Sequence, residues 1–311
     1  MKRYLVVRII YLILTLFIIL TATFFLMKQL PGTPFDEEKL AKLPVEQREI
    51  IYERYGLNDP VMVQYVKYVG NVAKGDLGTS FFYTGQPVKD IIFNRIGPSA
   101  LIGLQAIVLG LALGLILGMI AAYRHNTIWD YFTTVVAVLG VSVPNFVLAA
   151  LLQYYAGLKW GLFPVAFWES YSSSVLPSLA LSVGVIAVIA RFVRTEMIEV
   201  LQQDYITTAR AKGLGRMTVL FRHAMRNSLI PVITVLGPIV VGLLTGSLVI
   251  ENIFGIPGIG SLFVDSIKMN DYSTIMGITI FYSAFYVLVM LIVDVLYSLI
   301  DPRIRLAGGK E

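Results

Sequence analysis

The sequence predicts an all-α integral membrane protein with six transmembrane helices. Of its 311 residues, 57% are hydrophobic and 14% are charged, whereas soluble domains carry about 25% charged residues. The apolar residues form long blocks, and a helix needs about 20 of them to cross the hydrocarbon core. Segments between alternate blocks are rich in lysine and arginine, which predicts that these segments and both termini are cytoplasmic.

Composition also excludes several kinds of site and partner. The chain contains no cysteine, so disulfides and thiolate metal sites are impossible. Its two histidines, His125 and His223, are far apart in sequence, which argues against a histidine metal site. The net charge of +5 is concentrated beside the apolar blocks. This placement favours the lipid bilayer as a partner and argues against nucleic acid.

The first apolar run extends from Ile9 to Met27, after a basic N-terminal stretch. A cleaved signal peptide would have a shorter hydrophobic core and a small-residue cleavage site, and neither is evident. We therefore interpret residues 1–29 as a cytoplasmic N-terminus and the first transmembrane helix.

Residues 30–97 form a long polar insertion. Pro31 and Pro34 end the first helix, and the amphipathic stretches 44–56 and 58–72 are typical of helices. Acidic and basic residues are nearly balanced here, and long external segments escape the positive-inside bias. We expect a helical extracytoplasmic insertion that acts as a structural cap, as a platform for an external binding protein, or as both.

Residues 98–299 are predicted to supply the other five spans, followed by a cytoplasmic tail at 300–311. Two sets of glycines at GxxxG spacing predict sites where another helix approaches closely. One set is Gly110, Gly114 and Gly118, and the other is Gly242 and Gly246. The spans are predicted at 98–122, 130–156, 175–193, 229–250 and 274–299, with an outer loop at 251–271.

The predicted span centres carry few polar side chains. Gln105, Asn145 and Gln153 lie there, and Pro144 is expected to kink the third span. Neutral amides offer hydrogen-bond donors and acceptors to a varied substrate. These three residues are therefore candidates for lining a translocation path, with satisfied packing as the alternative for each.

A basic segment, 194–228, separates the fourth and fifth spans. Asp204 is expected to cap a helix of two to three turns. Gly213 and Gly215 are expected to end it, since glycine adopts the left-handed conformation at little cost. So short a helix is marginal in water, so we expect something outside the chain to hold it.

The composition of this helix indicates how another protein could bind it. Ala209 and Ala211 are small enough to permit close approach, and Arg210 and Lys212 supply positive charge. The alternative is a basic cytoplasmic loop that only follows the positive-inside rule. One face of an interfacial helix is predicted downstream, formed by Leu220, Phe221, Ala224 and Met225.

The segment also resembles the coupling loop of ABC importer permeases, in particular those of the peptide-importer branch. In that family a Glu-Ala-Ala triplet precedes a glycine at the spacing found here, where Thr207, Thr208 and Ala209 precede Gly213. The resemblance implies a type I ABC importer permease-like fold and a coupling helix that docks on an ATPase subunit. The residues that it assigns to this helix are Asp204, Tyr205, Thr207, Thr208, Ala209, Arg210, Ala211, Lys212 and Gly213.

Other motifs of peptide-importer permeases occur in the same order along the chain. The resemblance is closest to the first membrane subunit of an oligopeptide importer, and dipeptide and nickel permeases share most of the motifs. These motifs are Leu30-Pro31-Gly32, Tyr55 to Pro60, Gly75 to Ser80, Ser142 to Phe146, Phe254 to Gly260, and Asp301-Pro302-Arg303.

The resemblance implies several partners. They are a second homologous permease, two ATP-binding subunits and an extracytoplasmic peptide-binding protein, in a bacterial cell membrane. ATP and magnesium would bind the ATPase subunits, since this chain lacks a GxxxxGK[ST] loop, and we expect no cofactor in this chain. The chain has no HExxH or GxSxG motif, so we do not expect an enzyme.

An ion-coupled secondary transporter is the alternative from a different class. Such proteins usually place ionisable residues near the membrane midplane. The predicted span centres here carry none, and Asp294 lies near the inner end of the sixth span. The sequence therefore favours an importer subunit for oligopeptides, with dipeptides or nickel as alternative substrates.

Overall fold

A computed structural model of the chain describes residues 2–29, 44–54, 56–83 and 85–300. Within these ranges the backbone is mostly helical and has no β-strand, apart from an isolated β-bridge between Thr79 and Pro87. Some predicted features lie outside the described residues. They are the motif at residues 30–32, the proline pair that was expected to end the first helix, Tyr55 and the tail beyond residue 300.

The helices alternate between long apolar elements and short connecting ones. In chain order they are α1 (Lys2–Gln29), α2 (Val45–Arg54), α3 (Val61–Ala73), α4 (Val88–Tyr123), α5 (Ile128–Ser142), α6 (Asn145–Leu152), α7 (Val175–Leu201), α8 (Asp204–Ala211), α9 (Arg216–Thr218), α10 (Met225–Leu244), α11 (Leu248–Phe254), α12 (Ile259–Lys268) and α13 (Tyr272–Ile300). Two π-helical segments, Gln153–Lys159 and Val219–Ala224, continue α6 and α9.

Among the described residues, four unbroken helices are long and apolar enough to cross a membrane. They agree with the first, second, fourth and sixth predicted spans. Three bent helix pairs also have the composition of a span, and the third predicted span is one of them. The four unbroken segments are Val6–Gln29, Val88–Tyr123, Tyr171–Leu201 and Tyr272–Val295.

The third predicted span is broken rather than kinked. Helix α5 ends at Ser142, Val143 takes an extended conformation (φ −85°, ψ 120°) and α6 begins after Pro144. The two parts meet at an angle of 97°. The break follows from Pro144, because the residue before a proline is pushed out of the helical region.

The end of the fifth predicted span differs from our prediction. Helix α10 stops at Leu244, and Gly246 in the following turn has a φ of 98°. The segment 251–271 was expected to be a loop, yet it contains the end of α11 and all of α12. Short apolar runs such as these are hard to separate from loops by periodicity, because a helix signal needs several turns.

The described chain packs as two compact units. Unit 1 comprises residues 1–97 and 258–287, and unit 2 comprises residues 98–257 and 288–311. In unit 1 the insertion helices predicted at 44–56 and 58–72 are present as α2 and α3. Helix α3 packs on α1, where the rings of Tyr68 and Phe24 stack with their centroids 5.6 Å apart.

A buried carboxylate fixes the end of the insertion in unit 1. Asp271 is 1% exposed and accepts hydrogen bonds from the Ser80 hydroxyl, from the Phe81 amide at 3.1 Å and from the Thr274 hydroxyl at 2.7 Å. A buried carboxylate is stable only when such donors satisfy it. Asp271 thus ties the segment around Ser80 to the first turn of α13.

In unit 2, three glycines allow α4 and α7 to approach closely. A Cβ added to Gly110 would lie 2.4 Å from the Val185 Cβ, and one on Gly114 would lie 2.8 Å from the Ile189 Cβ. A Cβ on Gly118 would meet the Ala190 carbonyl oxygen at 2.7 Å. The first glycine set therefore packs as predicted.

The second glycine set does not form a packing site against the part of the chain that the structure describes. A Cβ added to Gly242 would meet no atom within 4 Å. Gly246 lies beyond the end of α10, so the two glycines do not share a helix face. The spacing alone was misleading because the helix ends between them.

Replacement of Gly114 tests the close approach of α4 and α7. Gly114→Ala places a methyl group where Ile189 already lies, so we expect overpacking to destabilise the protein by about 1–3 kcal/mol. Gly242→Ala is the matched control, because its new methyl group enters open space. Thermal unfolding of the purified protein should show a lower Tm for Gly114→Ala only. Equal Tm values for the two variants would contradict the packing described here.

Candidate coupling and translocation site

The candidate coupling helix α8 has eight residues, from Asp204 to Ala211. The helix is present as expected, but Asp204 does not cap it. Gln203 is the N-cap, without a side-chain capping bond, and its carbonyl accepts from the Ile206 amide at 3.0 Å. Asp204 is instead the first helical residue, where a carboxylate stabilises the positive end of the helix dipole.

Gly213 ends the helix as predicted. Its φ of +79° is left-handed. The Gly213 amide donates to the Arg210 carbonyl at 3.0 Å, and the Leu214 amide donates to the Ala209 carbonyl at 3.3 Å. These two bonds form a Schellman motif, which satisfies carbonyls that the helix end leaves unpaired.

The prediction for Gly215 was wrong. This residue has φ −62° and ψ 148°, and it is the N-cap of α9. It therefore starts the next helix and does not end α8.

One face of α8 is buried in its own chain. Ile206 is fully buried and Ala209 is 6% exposed. Both belong to a hydrophobic cluster with Met197 of α7 and with Val219 and Leu220 of the π-helical segment. Unit 2 therefore supplies apolar surface that a short helix needs. The expectation that something outside the chain also holds this helix stays a prediction.

The opposite face of α8 is exposed. Tyr205 is 41% exposed, and its hydroxyl accepts a hydrogen bond from the Asn227 amide group at 2.7 Å. Ala209 points inward, so Ala211 is the small residue that another protein could approach closely. The exposed residues at and after this helix are Asp204, Tyr205, Thr207, Thr208, Arg210, Ala211, Lys212 and Gly213.

The segment after α8 does not present the single apolar face that we predicted. Leu220 and Ala224 are buried, whereas Phe221 is 53% exposed. Residues Val219–Ala224 form a π-helical segment. A π-helix bonds residues five apart, so the four-residue pattern used for the prediction does not hold there.

A buried ion pair lies between α5 and α7, at the end of unit 2 that carries α8. Asp130 is 2% exposed, and its carboxylate accepts from the Arg194 Nε at 2.5 Å and Nη2 at 2.9 Å. It also accepts from the Asn126 amide at 3.0 Å and contacts the His125 Nδ1 at 2.9 Å. Such bidentate charge-assisted bonds fix both position and orientation.

Sequence reasoning missed this pair. Arg194 was expected to mark the inner end of the fourth span, but α7 continues to Leu201. The available signal was Asp130 itself, an acidic residue at the start of an apolar run that requires a cation. The sequence did not indicate which of the basic residues would meet it.

The three candidate path residues all lie in unit 2, but no hydrogen bond joins any of them to another. The Gln105 amide group donates to the Tyr171 hydroxyl at 2.8 Å, and its carbonyl accepts from the Ser178 hydroxyl at 2.7 Å. These bonds pair α4 with α7 and the turn before it. They favour the packing alternative for Gln105.

Gln153 and Asn145 differ in their surroundings. The Gln153 amide group donates to the Val165 carbonyl at 2.9 Å and to the Ile253 carbonyl at 3.0 Å, so it connects α6 to α11. Asn145 is exposed at the start of α6, beside Gly184 of α7. Of the three candidates, Asn145 is the one whose amide is left available to a substrate.

Comparison with known proteins gives consistent results. The family model "Binding-protein-dependent transport system inner membrane component" matches residues 114–306, and a model for the N-terminal part of such components matches residues 1–99. The dipeptide transport system permease protein DppB of Lactococcus lactis subsp. cremoris is 47% identical over 306 residues, covering 98% of this chain and 100% of that protein.

The name of a second relative refers to a different substrate. The oligopeptide transport system permease protein OppB of Salmonella typhimurium is 43% identical over 293 residues, covering 94% of this chain and 95% of that protein. Both relatives therefore match this chain over nearly its full length.

Solved structures show the same fold. A chain of the MetNI methionine ABC transporter in an inward-facing conformation superposes with a TM-score of 0.58 at 15% identity, covering 70% of this chain and all of that one. An amino acid ABC transporter chain gives a TM-score of 0.54 at 13% identity, covering 67% and 94%. The fold is thus that of type I ABC importer permeases, and the chain belongs to the family of inner-membrane permease components of binding-protein-dependent transport systems.

Proposed function

We propose that this protein is the membrane-spanning permease subunit of an ATP-driven peptide importer in a bacterial cell membrane. The observation that carries the proposal is its full-length similarity to two peptide permeases, at 47% and 43% identity. The protein forms half of the translocation path, and a second homologous permease forms the other half. An extracytoplasmic binding protein delivers the peptide.

Energy for transport comes from two partner ATPase subunits, which bind ATP and magnesium. The proposed contact with them is the exposed face of α8, from Asp204 to Ala211. The basic segments around Arg124 and Arg210 then lie in the cytoplasm, as do both termini, in agreement with the positive-inside rule. In this role the chain makes and breaks no covalent bond in the substrate.

The contacts of α8 support transmission of force as a rigid body. The helix is fastened on its inner face by Ile206 and Ala209 and closed at its end by Gly213. A displacement of α8 is therefore passed to α7, whose Met197 lies in the same cluster. The ATPases can shift the equilibrium between inward-open and outward-open states only if they bind the two states with different affinity.

We propose oligopeptides as the substrate, on the basis of the sequence motifs. Dipeptides are the second candidate, which the relative with 47% identity and a dipeptide name favours. Asn145, which is exposed at the break between α5 and α6, is the proposed path residue, since a neutral amide accepts and donates hydrogen bonds without selecting a charge.

Bulk on the outer face of α8 tests the proposed coupling. Ala211→Trp should abolish transport and ATPase copurification, because the indole prevents close docking, while membrane insertion and the Tm stay unchanged. Met217→Trp is the matched control, since Met217 is 61% exposed on α9, outside the proposed contact. Ala209→Trp should instead lower the Tm, because Ala209 is buried. Normal transport by Ala211→Trp would refute the coupling assignment.

Uptake by a strain that lacks this gene and any redundant peptide importer tests the substrate. The strain should fail to grow on tripeptides to pentapeptides that carry a required amino acid, and it should grow on the free amino acid. Loss confined to dipeptides would select the second candidate. Intact peptide uptake with lost nickel accumulation would overturn the peptide assignment and leave the family membership unchanged.

A further inference from the structure

A basic pocket lies in unit 2, between the loop that joins α4 to α5 and the segment that contains α8 and α9. Its volume is about 800 Å³. Its lining contains four basic and four apolar side chains, together with Tyr123 and Thr127. The basic residues are Arg124, His125, Arg210 and Arg216, and the apolar residues are Leu201, Leu214, Val219 and Leu220.

The positive charge of this pocket is not neutralised by the residues that line it. Among them there is no aspartate or glutamate. Within the described part of the chain, Arg124, Arg210 and Arg216 make no salt bridge. Asp130 is close in sequence, but its side chain is 3% exposed and is paired with Arg194 and with the His125 ring. The positive charge that remains in the pocket is therefore that of its three arginines. The pocket therefore attracts an anion.

The rim of the pocket has the composition of a membrane interface. The Arg124 guanidinium lies 5.9 Å from the centroid of the Trp129 ring. The first turn of α5 exposes large apolar side chains, with Ile128 75% exposed and Tyr131 61% exposed. Tryptophan, tyrosine and arginine together are typical of the level of the lipid headgroups. An anion that binds in the pocket lies near the arginines and near these exposed apolar side chains.

We propose that this pocket binds the phosphate of an anionic phospholipid, with the acyl chains lying along the exposed start of α5. Arginine guanidinium groups match phosphate oxygens with two parallel hydrogen bonds. Basic pockets beside membrane helices are suited to anionic headgroups. The apolar lining residues and the exposed apolar side chains of α5 favour a lipid, because a soluble phosphate has no hydrocarbon to place against them. This site concerns the bilayer and does not depend on the substrate. Arg210 also belongs to the proposed ATPase contact, so Arg124 and Arg216 are the residues whose substitution tests the lipid site.

The geometry gives the lipid a structural consequence. Arg210 belongs to α8, whereas Arg124 belongs to the loop after α4. A phosphate held by both arginines bridges the candidate coupling helix to that loop. Lipid composition is then expected to affect how firmly α8 is held in unit 2.

Lipid retention by the full-length protein, purified with its partner subunits, tests the proposal. The complex is equilibrated in mixed micelles of phosphatidylglycerol and phosphatidylcholine, and bound lipid is counted by native mass spectrometry. The wild type should retain phosphatidylglycerol selectively. Arg124→Gln and Arg216→Gln should each lower this retention about fivefold, since one cation near an anionic surface has an effect of that size.

Three controls separate loss of lipid from the pocket from a general effect of charge and from unfolding. Arg222→Gln removes the same charge from an exposed residue of the same segment that does not line the pocket, and it should retain lipid like the wild type. Arg124→Lys keeps the charge but loses the two parallel hydrogen bonds of the guanidinium, so its retention should lie between those of Arg124→Gln and the wild type. Equal Tm values for all variants show that a loss of lipid is not a loss of folding.

The following outcomes would overturn the proposal. Equal retention of both lipids, or equal loss in Arg222→Gln, means that the pocket is not a specific lipid site. Displacement of the lipid by micromolar glycerol 3-phosphate identifies a soluble phosphate site, whereas no displacement at millimolar concentration supports the lipid. Loss of the ATPase from Arg124→Gln, with lipid retention unchanged, identifies an acidic protein surface as the occupant.

Discussion

The burial of Ile206 and Ala209 against the chain's own hydrophobic cluster is the interaction on which the candidate coupling segment depends. An eight-residue helix is marginal in water. Burial of one isoleucine side chain contributes about 1.5–3 kcal/mol, which is enough to offset that deficit. Helix α8 is therefore part of unit 2 before any partner binds, and its exposed face is presented in a fixed orientation.

The rest of unit 2 supports this arrangement through two further contacts. Glycines of α4, such as Gly114, let α7 lie close enough for Met197 to join the cluster beneath α8. Asp130 and Arg194 fix α7 against α5. Loss of one member of a buried ion pair typically costs about 3–5 kcal/mol, because the other charge is left uncompensated. Contacts with α4 and with α5 therefore hold α7 in place. A movement of α8 is passed to this rigid helix.

The sequence predicted features that depend on local chemistry. Long apolar runs predicted the unbroken spans, Gly213 predicted the end of α8, and the glycines of α4 predicted a close helix contact. The predictions from the sequence failed for features that depend on contacts between segments distant in the chain. The direction of Ala209 depends on what packs beneath α8, and the partner of Asp130 lies 64 residues away in sequence. For Gln105 and Gln153 the sequence left a path role and a packing role open, and it did not reveal the side-chain and backbone partners that these residues engage.

Hydrogen–deuterium exchange of the α8 amides in the permease without its ATPase partners is the most direct test of this account. The account predicts that the amides from Thr207 to Gly213 are already protected in the absence of the ATPase. It also predicts that Ile206→Ala removes the protection, whereas Thr207→Ala, at an exposed position, leaves it largely intact. Exchange of these amides at the rate of an unstructured peptide, with protection appearing only when the ATPase binds, would contradict the claim that the chain itself holds its coupling helix.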